Sequence, residues 1–418
     1  MDIRISPAPL SGRLPAISSK SDAHRALICA AFSDAPTTLL LNSSSEDIDA
    51  TIRCLGNLGA AFEVQEGRIV VSPIHVPSKA ALLDCRESGS TLRFLLPVAA
   101  ALGAEARFIG QGRLPERPLS PLREELMAHG CQLSRALLPI KLSGQLRSGV
   151  FRLPGNISSQ FITGLLLSFP LLPQGGEIVL TTPLESAGYV EMTIHTLARF
   201  GVTVERRPSG FRIAGGQHYH SPGTLKICGD WSSAAFWLCA GALGGEITCE
   251  DLDAPSPQGD SAVAQLLGQM GAQIAWQGSA LTVRPGPLSS LTIDAGNLPD
   301  LVPVLAAVAS VAKGETRIVN AARLRIKESD RLHSVCDTLS RLGADIRELP
   351  DGLRIRGKRR LLGGEVWGWG DHRIAMAAAI AALCCQEDVL IKGAEVVSKS
   401  YPGFWTDYQK LGGQVAVL

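Results

Sequence analysis

Six glycines recur along this chain in one small frame: Gly59, Gly130, Gly201, Gly271, Gly343 and Gly412, spaced 69–72 residues apart. The frame is apolar–Gly–small–x–apolar. It reads Leu58-Gly-Ala-Ala-Phe62, Phe200-Gly-Val-Thr-Val204, Met270-Gly-Ala-Gln-Ile274 and Leu342-Gly-Ala-Asp-Ile346, with His129 the one polar residue before a glycine. A chain built from six copies of a unit has six copies of each loop, and the direction of those loops decides what it can do.

Unit one shows the pattern. An apolar helix is predicted over 21–32, then a β-type run over 37–41 and a second helix over 47–58. Gly59 ends that second helix, because glycine accepts the left-handed backbone found at helix C-termini. Two alternating strands follow at 61–65 and 68–72, joined by Glu66-Gly67. With a strand before the first helix, the order is β-α-β-α-β-β. The paired endings return at 202–206 and 210–213, at 273–276 and 280–283, and at 345–348 and 352–355. Unit six reaches only one of its two final strands, Val415-Ala-Val-Leu418, and the run Asp2-Ile-Arg-Ile-Ser6 is the candidate for the missing partner.

That pairing implies two domains. Units one to three, 19–228, form an inserted domain, and units four to six form a discontinuous one from 1–18 and 229–418. The chain then crosses between domains twice, near 13–20 and 221–229, where Gly12-Arg13-Leu14-Pro15 and Ser221-Pro222-Gly223 have the composition of joints. Two crossing strands make a hinge.

With 418 residues and 45% hydrophobic content, the chain can bury large cores. Its formal net charge of +1 argues against a general polyanion binder, so any anion chemistry must come from local placement of charge. Ten cysteines show no C-x-x-C pair, and Cys384 and Cys385 are adjacent in an apolar run; scattered thiols in a reducing cytosol are expected rather than a disulfide framework. No charged-then-apolar leader is seen and no apolar run approaches a membrane span, so a cytoplasmic protein without membrane contact is expected. No phosphate loop and no G-x-G-x-x-G after a strand is present, so no cofactor is expected. No metal is expected either. The nearest histidine pair, His218-Tyr-His220, lies in a Gly/Ser-rich linker and reads as a solvated loop, while Trp367-Gly-Trp369 reads as packing.

Measured back from each repeat glycine, the polar residues fall into two phases. At 39–43 residues upstream lie Lys20, Gly89, Ser159, Asp230, Asp300 and Asp371, each opening an apolar helix. At 11–16 residues upstream, near the second helix, lie Asp47, Arg117, Ser186, Asp260, Lys327 and Lys399. Helix capping accounts for Asp47, Asp230, Ser232 and Asp260. It does not account for Lys20, Arg25, Arg93, Arg117, Lys327, Arg331, Arg373 and Lys399, since a helix start already carries about half a positive charge. Cations set there imply a compensating anion. The expected ligand is small and multiply negative, held where helix ends from both domains face each other across a cleft.

At these residues the chain resembles the 5-enolpyruvylshikimate-3-phosphate synthase family of enolpyruvyl transferases. The resemblance runs end to end through S-K-S…R (19–25), G-S-T-L-R (89–93), E-R-P (116–118), S-S-Q-F (158–161), S…Y (186, 189), P-D (299–300), K-E-S-D-R-L (327–332), D-H-R-I-A-M (371–376) and S-K-S-Y-P (398–402). It implies a two-domain inside-out α/β barrel of six repeats, three per domain. It also implies transfer of the enolpyruvyl group of phosphoenolpyruvate to shikimate 3-phosphate with release of phosphate.

Carried over residue by residue, the resemblance assigns Lys20, Ser21, Arg25, Ser158, Ser159, Gln160, Ser186, Tyr189, Asp300, Arg323 and Lys327 to shikimate 3-phosphate. To phosphoenolpyruvate it assigns Lys20, Gly89, Arg93, Arg117, Gln160, Arg331, His372, Arg373 and Lys399. Asp300 and Glu328 correspond to the acid–base pair, with Lys20 as a third catalytic group. Glu87 departs from the asparagine of many relatives, and Arg323 from the asparagine of some. Gly89 keeps the small residue that leaves room for the inhibitor glyphosate. The partners implied are the two small-molecule substrates, with no nucleic acid, and a monomer is expected. The substrates together carry about five negative charges at neutral pH. Cations gathered to balance them would repel one another when the site is empty, which implies an open resting state.

Two alternatives remain. The related transferase acting on UDP-N-acetylglucosamine has a cysteine in the loop that here reads Gly110-Gln-Gly-Arg-Leu-Pro-Glu-Arg-Pro118, without cysteine; Cys131 instead reads as a buried strand residue. A six-repeat ring clamping DNA needs cations spread over exposed helix faces.

Overall fold

The computed structural model describes all 418 residues. The chain divides into two compact halves: an inserted half, residues 18–227, and a discontinuous half, residues 1–17 with 228–418. Each half contains three four-stranded sheets, and all six sheets share one strand order. In unit two, Ala80–Asp84 lies parallel to Glu105–Ile109, with the helix Gly89–Ala101 as crossover. Ile140–Gly144 then runs antiparallel to Glu105–Ile109, and Cys131–Leu133 takes the edge.

The first helix of each unit is apolar on nearly every side and is enclosed accordingly. Val302–Ala309 and His372–Ala382 are buried throughout, and Trp231–Gly244 is buried up to its last two residues. In the inserted half, Lys20–Ala31, Gly89–Ala101 and Ser159–Ser168 do the same. The second helices are amphipathic. Glu46–Leu58 buries Ile48, Thr51, Cys54, Leu55 and Leu58 along one stripe and turns Glu46 and Asp49 outward. The apolar helices thus form the centre of each half, and the sheets lie around them.

The N-terminal strand Ile3–Ser6 sits between Val389–Lys392 and Gln414–Val417, antiparallel to both, and so completes the sixth sheet. The chain passes between halves within the stretches 13–20 and 221–229, but after the segments read as joints. Gly12–Pro15 is a strand, parallel to Ile247–Glu250 of unit four, and Thr224–Lys226 is a strand parallel to Thr37–Leu40 of unit one. Units one and four therefore exchange their first strands. Each strand stays in the half the chain is leaving, and the passage between halves follows directly after it, at 17–18 and 227–228. In the 218–220 loop His218 and His220 are exposed, while the residue between them is anchored. Tyr219 is buried with its hydroxyl donating to the Leu167 carbonyl, and His220 pairs with Asp34 at 2.7 Å.

All six repeat glycines have left-handed φ, from +80° to +119°. Their surroundings differ, and that gives a test within one half. At Gly412 a Cβ would meet nothing within 4 Å, whereas at Gly271 it would lie 2.6 Å from the Pro287 carbonyl oxygen. Gly412→Ala should destabilise by about 1 kcal/mol, the left-handed penalty alone. Gly271→Ala should lose roughly 2–4 kcal/mol because rigid backbone must also shift. Urea unfolding of the two variants checks the order.

Candidate active site

An enclosed apolar helix leaves its first N–H groups in need of acceptors, and short polar side chains supply them. Ser19, Ser88 and Ser158 cap the three central helices of the inserted half, accepting from the N–H of Asp22, Thr91 and Gln160. In the discontinuous half, Asp230 accepts from Ser233 N–H and Asp371 from Arg373 N–H. Three expected caps are not caps. Ser45 caps Glu46–Leu58, which frees Asp47 to pair with Lys20 at 2.6 Å, and Ser232 donates its hydroxyl to Asp260.

The helix-dipole argument holds for some cations only. Lys20 and Arg331 are the first residues of their helices and Arg373 the second; Arg25 and Arg93 follow within two turns. Arg117, Lys327 and Lys399 instead close the 3-10 turns Leu114–Glu116, Ala322–Ile326 and Ala394–Lys399. Those turns put them several residues ahead of the next helix, outside the reach of its dipole.

In the inserted half the predicted residues meet around Gly89. A Cβ there would lie 2.6 Å from Arg93 Nη1 and 2.7 Å from Arg117 Nη1, so two guanidinium groups converge on one point. Arg93 donates to Gln160 Oε1 at 3.0 Å, and Gln160 Nε2 donates to Ser90 at 3.1 Å. Gly164 allows this, because a side chain there would strike the Arg93 carbonyl and force the two helices apart. Arg117 Nε is buried without an acceptor. Arg25 is buried, donating to Thr193 Oγ1 at 2.8 Å, to the Tyr189 carbonyl at 2.9 Å and to the Ser21 carbonyl. It therefore joins Ser21 and Tyr189 through their backbones. Ser186 opens the helix Ala187–Arg199 at φ 53°, a left-handed strain in a non-glycine residue, and its hydroxyl does not cap that helix. Ser159 is the first residue of its own helix. The carboxyl of Glu87 fills the space where Gly112 would carry a side chain.

In the discontinuous half everything turns on Arg331, which is 1% exposed. Its Nη1 donates to Asp300 Oδ1 at 2.7 Å, Nη2 to Glu328 Oε2 at 2.6 Å, and Nε to Asp371 Oδ2 at 2.7 Å. Burial disfavours the guanidinium charge, but Asp371, Glu328 and Asp300 outweigh it and hold its proton more firmly than usual. Arg373 Nη2 reaches Asp300 Oδ2 at 3.1 Å. Burial would raise the Asp300 carboxyl; Arg373, Lys327 and Arg331 overcome that and hold it well below the usual carboxylate range. Lys399 donates to the Gly370 carbonyl at 2.8 Å, and Arg323 to the Gly296 carbonyl at 2.6 Å. His372 is buried as the first residue of its helix.

Three of these cations are met by carboxylates of their own half. Lys20 is met by Asp47, and Arg331 and Arg373 are met by Asp300, Glu328 and Asp371. Sequence reasoning had given Asp371 a place only as a helix opener and Asp47 only as a cap. Their place in the same two phases that hold the cations was the available signal. Thr193, which holds Arg25, lies mid-helix and carried no signal at all. Trp367 and Trp369, expected to pack, are 38% and 39% exposed, with the Arg341 guanidinium 4.5 Å from the Trp367 ring centre. No group of three or more His, Cys, Asp or Glu side chains is placed to hold a metal ion, and no helix is long and apolar enough to cross a membrane.

Converging guanidinium groups in one half, and carboxylates sharing one buried cation in the other, suit the handling of small, multiply charged anions. The chain belongs to the EPSP synthase (3-phosphoshikimate 1-carboxyvinyltransferase) family, whose model matches residues 5–408. It is 45% identical over 415 residues to the 3-phosphoshikimate 1-carboxyvinyltransferase of Clostridium perfringens, covering 98% of each chain. It is also 45% identical over 419 residues to that of Clostridium kluyveri, covering 99% of this chain and 98% of the relative. In fold it is similar to an EPSP synthase from Acinetobacter baumannii (TM-score 0.83, 24% identity, all of both chains). The enolpyruvyl transferase NikO from Streptomyces tendae has the same fold (TM-score 0.79, 17% identity, 99% of this chain and 98% of that one).

Gly89→Ala tests the convergence of Arg93 and Arg117. Its methyl would press on the far ends of two flexible side chains, so the fold should survive while the guanidinium groups separate. Phosphoenolpyruvate KM should rise about tenfold, equivalent to ~1.4 kcal/mol, with thermal melting unchanged. Steady-state kinetics alongside a melting curve measure both.

Proposed function

We infer that this chain is a 3-phosphoshikimate 1-carboxyvinyltransferase of the shikimate pathway, moving the enolpyruvyl group of phosphoenolpyruvate onto the 5-hydroxyl of shikimate 3-phosphate. The observation that carries the chemistry is the sharing of Arg331 by Asp300 and Glu328. The reaction needs a proton taken from a hydroxyl as it attacks C2 of the enol, and a proton given to the methylene carbon. Phosphate then leaves as the methyl group returns a proton. Two carboxyl groups in different electrostatic settings suit these transfers.

Asp300, kept ionised by its cations, is assigned the proton-accepting role; Glu328, more exposed, the exchange with the methylene carbon. A low-lying carboxyl is a weak base while arginines grip it. Substrate anions that draw Arg373 away would strengthen Asp300 at the moment it is needed. This gives the anionic substrate a role in activating its own base.

In the inserted half, Arg93, Arg117 and Gln160 are assigned to phosphoenolpyruvate with Gly89 leaving them room, and Ser158, Ser159, Ser186, Tyr189, Ser21 and Arg25 to shikimate 3-phosphate. From the discontinuous half, Arg373, His372 and Lys399 serve phosphoenolpyruvate, and Lys327 and Arg323 shikimate 3-phosphate. The one Arg331 Nη1 proton not drawn to Asp300 is its means of reaching phosphoenolpyruvate. Lys20 stabilises the departing phosphate. The two halves are proposed as domains hinged at the two crossings, working as a monomer in the cytoplasm, where ten free cysteines are at home. Light scattering at about 44.2 kDa would agree with the monomer.

Mixing the protein with shikimate 3-phosphate and phosphoenolpyruvate should release phosphate. Release with UDP-N-acetylglucosamine in place of shikimate 3-phosphate would overturn the assignment. Two variants resolve the roles. Glu328→Gln should lower kcat by about 10²–10⁴-fold while calorimetry finds substrate binding nearly intact. Lys20→Ala should lose turnover and binding together.

A further inference from the structure

Four of the six residues in the second loop phase, Arg117, Ser186, Lys327 and Lys399, already have site assignments, and Asp47 pairs with Lys20. Asp260 of unit four is left over. It lies on the 3-10 turn Gly259–Ser261 ahead of the helix Ala262–Met270 and is 2% exposed. One carboxyl oxygen accepts a hydrogen bond from Ser232, in the first turn of Trp231–Gly244. The other oxygen, Oδ1, is buried with no hydrogen-bond partner. A buried carboxyl with an oxygen unsatisfied is costly, and sites that retain one have a use for it.

The charged groups facing Asp260 come from three other elements. They are Asp300 in the turn before Val302–Ala309, Arg373 in the first turn of His372–Ala382, and Asp230 at the cap of Trp231–Gly244. Arg373 is already committed to Asp300, through Oδ2 at 3.1 Å and the backbone carbonyl at 3.3 Å. Asp260 and Asp300 thus both act on the Arg373 charge, and of the two it is Asp300 that accepts hydrogen bonds from it.

We propose that Asp260 is a positioning residue that controls how much of the Arg373 charge is available to phosphoenolpyruvate. Protonated, it leaves the guanidinium to Asp300 and the incoming substrate. Ionised, it adds a second negative charge beside Arg373 and opposes an anionic ligand. The inference rests on the assignment of Arg373 to phosphoenolpyruvate. Burial above all, then repulsion from Asp300, pushes the Asp260 carboxyl up to about 7, with Arg373 pulling the other way. The exchange therefore falls at physiological pH. Binding the substrate anion should favour the protonated form and take up a proton from solvent.

The test is kcat/KM for phosphoenolpyruvate from pH 6 to 8.5 in the wild type and in Asp260→Asn, which is neutral throughout. Taking the ratio of the two cancels the titration of the substrate and of every shared group. The wild-type-to-variant ratio should fall roughly tenfold as pH rises through about 7, with kcat nearly unaffected. Ser232→Ala gives a second arm. It removes a bond that favours the ionised form, so the wild-type fall should move to higher pH. A constant ratio together with an unmoved Ser232→Ala profile would overturn the proposal. Arg373→Lys separates the premise from the inference: if it leaves phosphoenolpyruvate KM unchanged, the assignment of Arg373 fails, whereas a large rise beside a flat ratio sinks only the role of Asp260. Melting at pH 8 offers a readout apart from activity. A carboxyl raised on folding from its ordinary 3.8 to about 7 costs stability progressively as pH climbs between those values and no further above them, so the melting advantage of Asp260→Asn over the wild type should be full at pH 8, smaller at pH 5 and absent at pH 3.

Discussion

Everything in this fold depends on enclosing three apolar helices in each half. Helices such as Val302–Ala309 and His372–Ala382 have no polar face to offer water, so sheets and amphipathic helices must cover them on all sides. Each buried leucine or valine in them contributes about 1.5–3 kcal/mol. Only the ends of such a helix can reach polar surroundings, and the N-terminal end brings unsatisfied N–H groups with it. Serine and aspartate answer that need, and arginine and lysine gather beside them. The candidate site lies where the enclosing rule stops.

The two halves handle their cations in different ways. Around Arg331 the discontinuous half sets three carboxylates within hydrogen-bonding distance of one buried guanidinium. Removing one partner from such a cluster typically costs about 3–5 kcal/mol, so Asp300 and Glu328 are held firmly. In the inserted half, Arg93 is bonded to an amide and a backbone carbonyl, Arg25 to hydroxyls and carbonyls, and Arg117 Nε to nothing. Neutral partners orient a guanidinium without cancelling its charge.

Much of this was legible in the sequence. The Ala61–Gln65 and Arg68–Ser72 strands, the helix-ending glycines and the N-terminal strand of the sixth sheet follow from local pattern, because turn chemistry and period-two alternation act over a few residues. The aspartates at 230 and 371 are caps as their positions suggest. Pairing partners were not legible. Gly12–Pro15 reads as a joint because nothing nearby in the chain says that it lies against Ile247–Glu250. Asp47 and Asp260 read as caps because a carboxylate near a helix start looks the same whether it meets an N–H, a lysine or a serine.

The sequence by itself determined the six-unit plan, the family, and the two phases in which the functional side chains lie. These depend on spacing along the chain, and spacing survives in a string of letters. Only the tertiary structure decided which strand completes which sheet, that Arg331 gathers three carboxylates, that Arg93 and Arg117 meet at Gly89, and that Asp260 faces Arg373 without a bond to it. Those are distances between residues far apart in the chain, and burial sets the strength of each interaction. Neither can be read from residue order.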